Sequence, residues 1–270
     1  MATVINTNVG SINAVRLLDQ SARSQATSME RLTSGLRINN SKDDAAGQAV
    51  VTNMTSQIRG LDMAVRNAND GISLVQTADG AMDEQVNMLQ RMRELGIQSM
   101  NGTYTASQRS AMNEEFKQLN SELTRISQTT KFNGTSLLNA NASIKFHVGW
   151  ENGVNNQIKF SARAFASITG VSIGGSAGVT SLAIVAISNR LVSIESQRAR
   201  WGALQNRLEY TVSNLQNVNE NISASRSRIQ DTDYAKEAAN LARTQVLQQA
   251  GMSMLTQANQ STQNALSLLQ

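Results

Sequence analysis

Proline and cysteine are both absent from this chain of 270 residues. Proline removes a backbone hydrogen-bond donor and clashes with the preceding helical turn, so its absence favours long, uninterrupted helices. The absence of cysteine excludes a disulfide framework, thiol catalysis and a cysteine-ligated zinc site. His147 is the only histidine. A Ser-His-Asp triad would therefore have to use that residue, and a histidine-rich metal site is excluded.

Aromatic residues (4%) and charged residues (16%) are scarce, which leaves a large share of Ser, Thr, Asn, Gln and Ala. The net charge of +4 comes from scattered arginines. Because there is no dense basic run, we expect no nucleic-acid partner. The longest apolar stretch, Leu182 to Ile187, is far too short to span a membrane. The N-terminus lacks the basic and apolar regions of a cleavable secretory signal, so export would need a different targeting signal.

Apolar residues recur at steps of three and four through much of the chain, which is typical of amphipathic helices. The N-terminal stripe predicts a helix that ends near Ser34-Gly35. Its members are Val15, Leu18, Ala22, Gln25, Met29, Leu32 and Leu36. A longer stripe predicts a helix from Leu61 to Met100, roughly 60 Å long. A compact globule of this size needs no such helix, so we expect an elongated rod.

The pattern breaks at Asn101-Gly102-Thr103 and restarts as a second helix, antiparallel to the first because the connection is short. Apolar and polar residues then alternate from Ile144 to Trp150 and again from Ile158 to Ala162, which predicts a β-hairpin. A glycine-rich loop from Gly170 to Gly178 leads back into helix. The C-terminal third carries two more helical stripes, separated at Asp231-Thr232-Asp233.

The last helix has an unusual composition, because no charged side chain occurs from Thr244 to Gln270 while Gln, Ser and Asn are frequent. It is too polar to span a bilayer and lacks the basic face of a membrane-surface helix. An isolated helix of this kind is marginal in water. We therefore expect the stripes at both ends of the chain to be surfaces for assembly with protein partners.

Each feature that could carry chemistry has a simpler structural interpretation. The glycine-rich loop lacks the Gly-Lys-Ser/Thr ending of a P-loop. Helix capping is favoured for Asp43-Asp44 over a metal or acid pair. His147 is predicted to be an exposed strand residue. Helix packing is predicted for Met82, Met88, Met92 and Met100. We therefore predict no catalytic residue, no metal site and no cofactor.

Several segments near the two ends of the chain then carry a family resemblance. They are Ser34-Gly35-Leu36-Arg37-Ile38-Asn39, Asp43-Asp44-Ala45-Ala46-Gly47, Asn69 to Ala81, Gln205 to Glu209, Gln245 to Gly251 and Gln257 to Leu269. In order and position they resemble the signature of bacterial flagellins. The resemblance covers about residues 1–140 and 190–270.

The resemblance implies a mainly α fold, a rod of long antiparallel helices. Residues 1–42 and 232–270 would form a coiled-coil-like terminal pair that lines the inner filament tube. Residues 43–231 would form a helical domain, a three-helix bundle with a hairpin and loop at about 140–180. No large outer domain is expected, in contrast to many flagellins. The His-Glu-x-x-His sequence of metallopeptidase-bearing family members is absent.

The resemblance also implies a function: a structural, non-enzymatic subunit of the flagellar filament, secreted by type III export, whose terminal helices fold on polymerisation. The implied partners are other copies of the chain, the flagellar cap and hook-junction proteins, the export chaperone, and animal Toll-like and cytosolic immune receptors. The candidate receptor-binding residues are Gln90, Arg91, Glu94, Leu95 and Glu115. The candidate assembly residues are Val15, Leu18, Met29, Leu32, Leu247, Met254, Leu266, Leu268 and Leu269.

Two alternatives stay open at this point. A hook–filament junction protein shares the terminal motifs but forms only a short ring. A cytosolic coiled-coil scaffold would fold fully without export. An enzyme hidden between Asn139 and Ser181 is a remote third, which metal or nucleotide binding by that fragment would reveal.

Overall fold

The computed structural model describes residues 7–139, 143–163, 172–174 and 177–267, and within helices it leaves out the side chains of residues 177–178 and 261–267. Over the described residues the chain forms five α-helices and two antiparallel strand pairs, which confirms the predicted mainly α class. The elements are α1 (Val9–Ser34), α2 (Ala45–Met100), α3 (Ala106–Thr129), β1 (Lys131–Phe132), β2 (Thr135–Ser136), β3 (Ser143–His147), β4 (Gln157–Ser161), α4 (Ala177–Gln230) and α5 (Tyr234–Ser267).

The chain divides into two compact units. The terminal unit comprises Met1–Ser56 and Asn221–Gln270, and the central unit comprises Gln57–Glu220. The terminal unit therefore holds α1 and α5 together with the start of α2 and the end of α4. The predicted terminal pair, residues 1–42 and 232–270, is shorter than this unit on both sides.

Helix α1 has a defined cap at each end. The Ser11 backbone N–H donates to Asn8 Oδ1 at 3.0 Å. At the C-terminus Gly35 adopts φ 72°, and its N–H donates to the Arg31 carbonyl at 2.8 Å. Glycine adopts this left-handed conformation without a Cβ penalty, so the predicted helix end is confirmed.

The turn after α1 contacts the turn between α4 and α5. Leu36 forms an isolated antiparallel bridge with Asp231. The Thr232 N–H donates to the Gly35 carbonyl at 2.9 Å. Asp233 Oδ1 then accepts from Ala235 N at 3.0 Å and so begins α5, as predicted. The turn after α1 and the turn between α4 and α5 thus stabilise each other.

The acidic pair before α2 shapes its start. Asp44 Oδ1 accepts from the Gly47 N–H at 2.8 Å, which confirms helix capping. Asp43 Oδ2 accepts from the Asn40 N–H at 2.9 Å. This hydrogen bond is the main reason why the pKa of Asp43 lies below its usual value. With this start, α2 begins at Ala45, well before the predicted Leu61.

Sequence analysis missed the short hairpin of β1 and β2. Asn133 (φ 46°) and Gly134 (φ 80°) form its two-residue turn, and Phe132 pairs with Thr135. An Asn-Gly dipeptide between two short strands is a strong hairpin signal because both turn positions need positive φ. The signal is present at Phe132-Asn133-Gly134-Thr135.

The predicted hairpin between Ile144 and Ala162 is confirmed. Strand β3 pairs with β4 in a register that places Ile144 opposite Phe160 and Phe146 opposite Ile158. The apolar side chains of β4 point into the core, with Phe160 0% exposed. Trp150 departs from the predicted alternation, because its side chain is 44% exposed. The glycine-rich loop lies largely outside the described residues.

The core of the central unit combines α2, α3, the β3–β4 hairpin and α4. The Phe160 and Trp201 rings stack with centroids 5.2 Å apart. Met82 and Met92 are fully buried, as predicted, whereas Met100 is 44% exposed. Arg198 of α4 donates to Asp79 at 2.8 Å and to Asp83 at 2.9 Å on α2, and these carboxylates raise the pKa of its guanidinium.

Helix α4 is more apolar than its longest unbroken apolar run indicates. The span Val179–Gln230 is long and apolar enough to cross a membrane, by length and composition only. The sequence analysis considered only the longest unbroken apolar run, Leu182 to Ile187, and not a longer window of mixed composition. One such helix is weak evidence for a membrane span, and Ala183, Ile187 and Ile194 of this helix lie in the core.

Candidate assembly and recognition surfaces

Helices α1 and α5 run antiparallel in the terminal unit, and polar contacts set their register. Asn8 Nδ2 donates to the Ala258 carbonyl at 3.0 Å, and Ser21 Oγ donates to the Thr244 carbonyl at 3.3 Å. Ser28 Oγ donates to Glu237 Oε1 at 2.6 Å. As residue numbers rise along α1 they fall along α5.

The only buried side chains in the described parts of this helix pair are polar: Ser28, Glu237 and Thr244. Glu237 is 7% exposed, and its second oxygen lies 4.0 Å from Arg31 Nη1. A buried carboxylate requires hydrogen-bond and charge partners, which Ser28 and Arg31 supply. The pair is therefore aligned by polar contacts, while most of its large apolar side chains stay exposed.

The structure separates the predicted assembly residues into two groups. Leu18 and Leu32 are half-buried, and Leu18 packs against Gly251 of α5. The second group is exposed by half or more: Val15 (52%), Met29 (50%), Leu247 (54%) and Met254 (64%). The side chain of Leu266, and all of Leu268 and Leu269, lie outside the described residues.

Further apolar side chains on the same helices were missed by sequence analysis. They are Val9, Ile12, Leu17, Val246 and Met252, each more than half exposed. A groove of about 650 Å³ between the helices is lined mainly by apolar groups, among them Leu17, Leu18 and Met254. Testing every helix face for apolar residues, and not the strongest stripe alone, would have found them.

The candidate receptor-binding residues lie on α2 and α3, where hydrogen bonds connect three of them. Arg91 Nε donates to Glu115 Oε1 at 2.9 Å, and Arg91 Nη1 donates to Glu94 Oε2 at 3.2 Å. These hydrogen bonds, that to Glu115 first, raise the pKa of Arg91. Arg91, Glu94, Glu115 and the neighbouring Gln90 are all exposed. The four form a polar surface, called here the Arg91 cluster.

Leu95 does not belong to this surface. Its side chain is 2% exposed and lies in the core of the central unit. In the single chain the Leu95 side chain is therefore not available as an apolar contact for a partner. The reason is helical spacing: Leu95 follows Met92 by three positions and precedes Ser99 by four, and both neighbours are buried.

Within the described residues no group of three or more His, Cys, Asp or Glu side chains could hold a metal ion. His147 is half-buried, and its carbonyl accepts from Asn67 Nδ2 at 3.0 Å. What the described residues present instead is a well-packed helical core in the central unit and, in the terminal unit, a helix pair with open apolar faces. Open apolar faces of this kind are typical of proteins that bind protein partners.

Similar proteins identify the family. Residues 5–143 match the bacterial flagellin N-terminal helical region, and residues 184–269 match the flagellin C-terminal helical region. The flagellin of Halalkalibacterium halodurans is 44% identical over 270 residues, covering 98% of this chain and 99% of that protein. Flagellin B of Vibrio anguillarum is 38% identical over an alignment of 375 residues, covering both chains completely. A crystal structure of Bacillus cereus flagellin is 26% identical, with a TM-score of 0.47, and covers 56% of this chain and 88% of that one.

The chain therefore belongs to the bacterial flagellin family and is a structural subunit of the flagellar filament. Membership implies a homopolymer, and flagellins form an extracellular filament. The hook–filament junction and scaffold alternatives are not favoured. The 375-residue alignment is longer than this 270-residue chain, so the Vibrio relative carries segments that have no counterpart here. The chain is a short form of the family.

Proposed function

We propose that the exposed apolar side chains of α1 and α5 are the surfaces through which subunits polymerise, and that this helix pair completes its folding on addition to the filament. The supporting observation is that the described parts of these helices bury no apolar side chain. Ordering a helix pair costs backbone and side-chain entropy, which apolar burial normally offsets. Contacts with neighbouring copies supply the burial that the single chain lacks.

The sharpest test removes apolar contacts without changing the charge. The double variant Leu247→Ser/Met254→Ser would be added to short filament seeds, with growth followed by electron microscopy and sedimentation. Burial of one such side chain is worth about 1.5–3 kcal/mol. We therefore expect the critical concentration to rise at least about tenfold, since ~1.4 kcal/mol is a factor of ten.

Gln245→Ser/Gln249→Ser is the matched control, because it changes two exposed polar residues of the same helix. It should grow like the unmodified chain. Unaltered growth of the Leu247/Met254 variant would refute the proposal. A second variant truncated of residues 244–270 should form no filament.

We further propose type III export of the chain in an unfolded state, and contacts with the flagellar chaperone, cap and hook-junction proteins. Catalysis has no part in this function. Support comes from family membership and from the uncharged final segment. A helix of this composition is only marginally stable in isolation, which is compatible with passage of the unfolded chain through an export channel. Deleting residues 244–270 should abolish chaperone binding in a pull-down with the purified chaperone, whereas deleting the exposed Arg163 side chain by Arg163→Ala should not.

As a second candidate function we propose recognition of the Arg91 cluster by an animal Toll-like receptor. Arginine offers a planar, multidentate donor, and Glu115 and Glu94 fix its orientation. Leu95 would support the cluster indirectly, through its packing in the core of the central unit. Arg91→Gln should weaken binding of the monomer to a receptor ectodomain at least about tenfold.

Arg93→Gln removes the same charge from an exposed position two residues away and should have little effect. Equal losses in the two variants would indicate general charge attraction and contradict a specific role for Arg91. Cytosolic immune receptors would instead bind the C-terminal segment of the chain. Replacing Leu268 and Leu269 by Ser should abolish that response and leave the Toll-like one intact.

A further inference from the structure

We propose that the central unit carries an oxyanion-binding pocket between β4 and α4, which takes a phosphate or sulfate group, free or as the ester of a sugar. The pocket has a volume of about 450 Å³. The ionisable residues that line it are all cations: Lys159, Arg163, Arg200 and Arg207. This binding site goes beyond the polymerisation proposed above and does not depend on it.

Local periodicity explains how four cations meet at one place. Along β4, alternate residues point to opposite faces, so Ile158 and Phe160 are buried while Lys159 and Ser161 are exposed. Arg163 continues the outward-facing series. On α4, residues seven positions apart share one face, which places Arg200 and Arg207 beside the strand.

The two walls of the pocket are held together by hydrogen bonds to a single carbonyl. Gln197 Nε2 donates to the Ser161 carbonyl at 2.8 Å, and Trp201 Nε1 donates to the same oxygen at 3.2 Å. Gln197 and Trp201 are buried, and the Trp201 ring stacks on Phe160 below. The cationic side chains therefore project from a rigid, preorganised frame, which lowers the entropic cost of binding.

The charges of the pocket are not neutralised within the described part of the chain. No carboxylate of a described residue lies within 4.0 Å of these four cations, although the nearby Arg198 pairs with both Asp79 and Asp83. No acidic residue lines the pocket. A cleft lined by charges of one sign concentrates counter-ions, and arginines bind tetrahedral oxyanions through paired N–H groups.

The size of the pocket favours a ligand larger than a bare ion. Small-molecule sites occupy roughly 300–1,000 Å³, and this pocket falls inside that range. Beside the cations, Leu204 and Ala203 give one apolar wall. Ser161 and Gln197 add polar groups suited to hydroxyls. A sugar bearing one phosphate or sulfate ester fits these features.

The test is calorimetric titration of the monomeric full chain in a chloride buffer of low ionic strength. The probes are inorganic phosphate, inorganic sulfate, glucose 6-phosphate, glucose 6-sulfate and unmodified glucose. We expect saturable binding of the charged probes at one site and none of glucose. Preference for the esters would assign the ligand as a modified sugar, and equal affinities would assign it as the free ion.

Arg200→Gln/Arg207→Gln should weaken binding of the charged probes at least about tenfold, since it removes two cationic hydrogen-bond donors from the pocket. Arg59→Gln/Arg66→Gln is the matched control: two exposed arginines, also seven residues apart on one helix of the central unit, away from the pocket. It should bind like the unmodified chain. Equal losses in the two double variants, binding of glucose, or no saturable binding would overturn the proposal. Because Gln is a good helix former, far-UV circular dichroism should be the same for all variants.

Discussion

Gly60 of α2 lies directly beneath Trp150 of the loop between β3 and β4. A Cβ at position 60 would lie 2.8 Å from the Trp150 Cβ and 3.3 Å from its Cα. No ordinary Cβ contact is as short as the first distance, and the second involves backbone, which cannot move aside alone. The hairpin therefore approaches α2 as closely as it does because residue 60 has no side chain.

Gly60→Ala should destabilise the central unit in spite of the better helix propensity of alanine. Alanine gains about 1 kcal/mol over glycine inside a helix, whereas overpacking costs about 1–3 kcal/mol. We expect a net loss of about 1 kcal/mol in the free energy of unfolding, measured by urea denaturation of the monomer. Gly80→Ala is the control, because nothing lies within 4 Å of a Cβ at that position of the same helix. It should be stabilising, and stabilisation by both substitutions would contradict the close approach.

Gly134→Ala should loosen the β1–β2 turn. Gly134 adopts φ 80°, a conformation that costs an L-residue about 1–2 kcal/mol. The same measurement of unfolding free energy should show a loss of about that size. Gly102→Ala is the comparison, since a Cβ there meets nothing within 4 Å and its φ is outside the left-handed range. A loss at Gly102 as large as that at Gly134 would mean that backbone conformation is not the cause.

Ser28→Ala should weaken the α1–α5 pair. The substitution removes the 2.6 Å hydrogen bond to Glu237, whose carboxylate is buried and would lose a donor. Such a loss costs about 1–3 kcal/mol. It should appear as a lower temperature of filament dissociation in calorimetry. Thr27→Ala should leave that temperature nearly unchanged, because Thr27 is exposed and its hydroxyl donates only to the Arg23 carbonyl of its own helix.

Glu122 on α3 should titrate at a lower pH than an ordinary glutamate. Its pKa is lowered mainly by the hydrogen bond from Arg125 Nε at 2.7 Å. Because the folded pKa lies below the unfolded one, the pair stabilises the protein above the unfolded value of 4.5 and loses this effect as pH falls through the folded pKa. Carbon-13 NMR titration should show the Glu122 pKa rising in Arg125→Gln. Lys117→Gln removes a cation that pairs with Glu114 instead, and an equal rise there would refute the assignment to Arg125.

Local features of the chain were predictable because their causes are local. The end of α1 at Gly35, the cap at Asp44 and the alternation of β3 and β4 each depend on residues within a few positions of one another. The Asn133-Gly134 turn belongs to the same class. Its signal is present in the sequence, although the sequence analysis does not include it.

Contacts between distant residues were not predictable in this way. A stripe assigned Val15 and Met29 to the same face as Leu18, yet the structure turns Ser28 toward α5 and leaves Met29 exposed. A buried Ser–Glu hydrogen bond sets this rotation, and it joins residues 209 positions apart. The resemblance concerns a segment and not a helix face, so it does not show that Leu95 is buried while Arg91 is exposed.

The sequence by itself determined the helical class, the positions of most helix ends, the hairpin and, through its terminal signatures, the family. These depend on short-range periodicity, on capping residues and on the absence of proline. Only the tertiary structure decided which face of each helix is buried, that Arg91 is joined to Glu115, and that Lys159 and Arg207 line one pocket. The physical reason is that burial and charge pairing depend on the packing of elements far apart in the chain, and no local pattern records the rotation at which two helices meet.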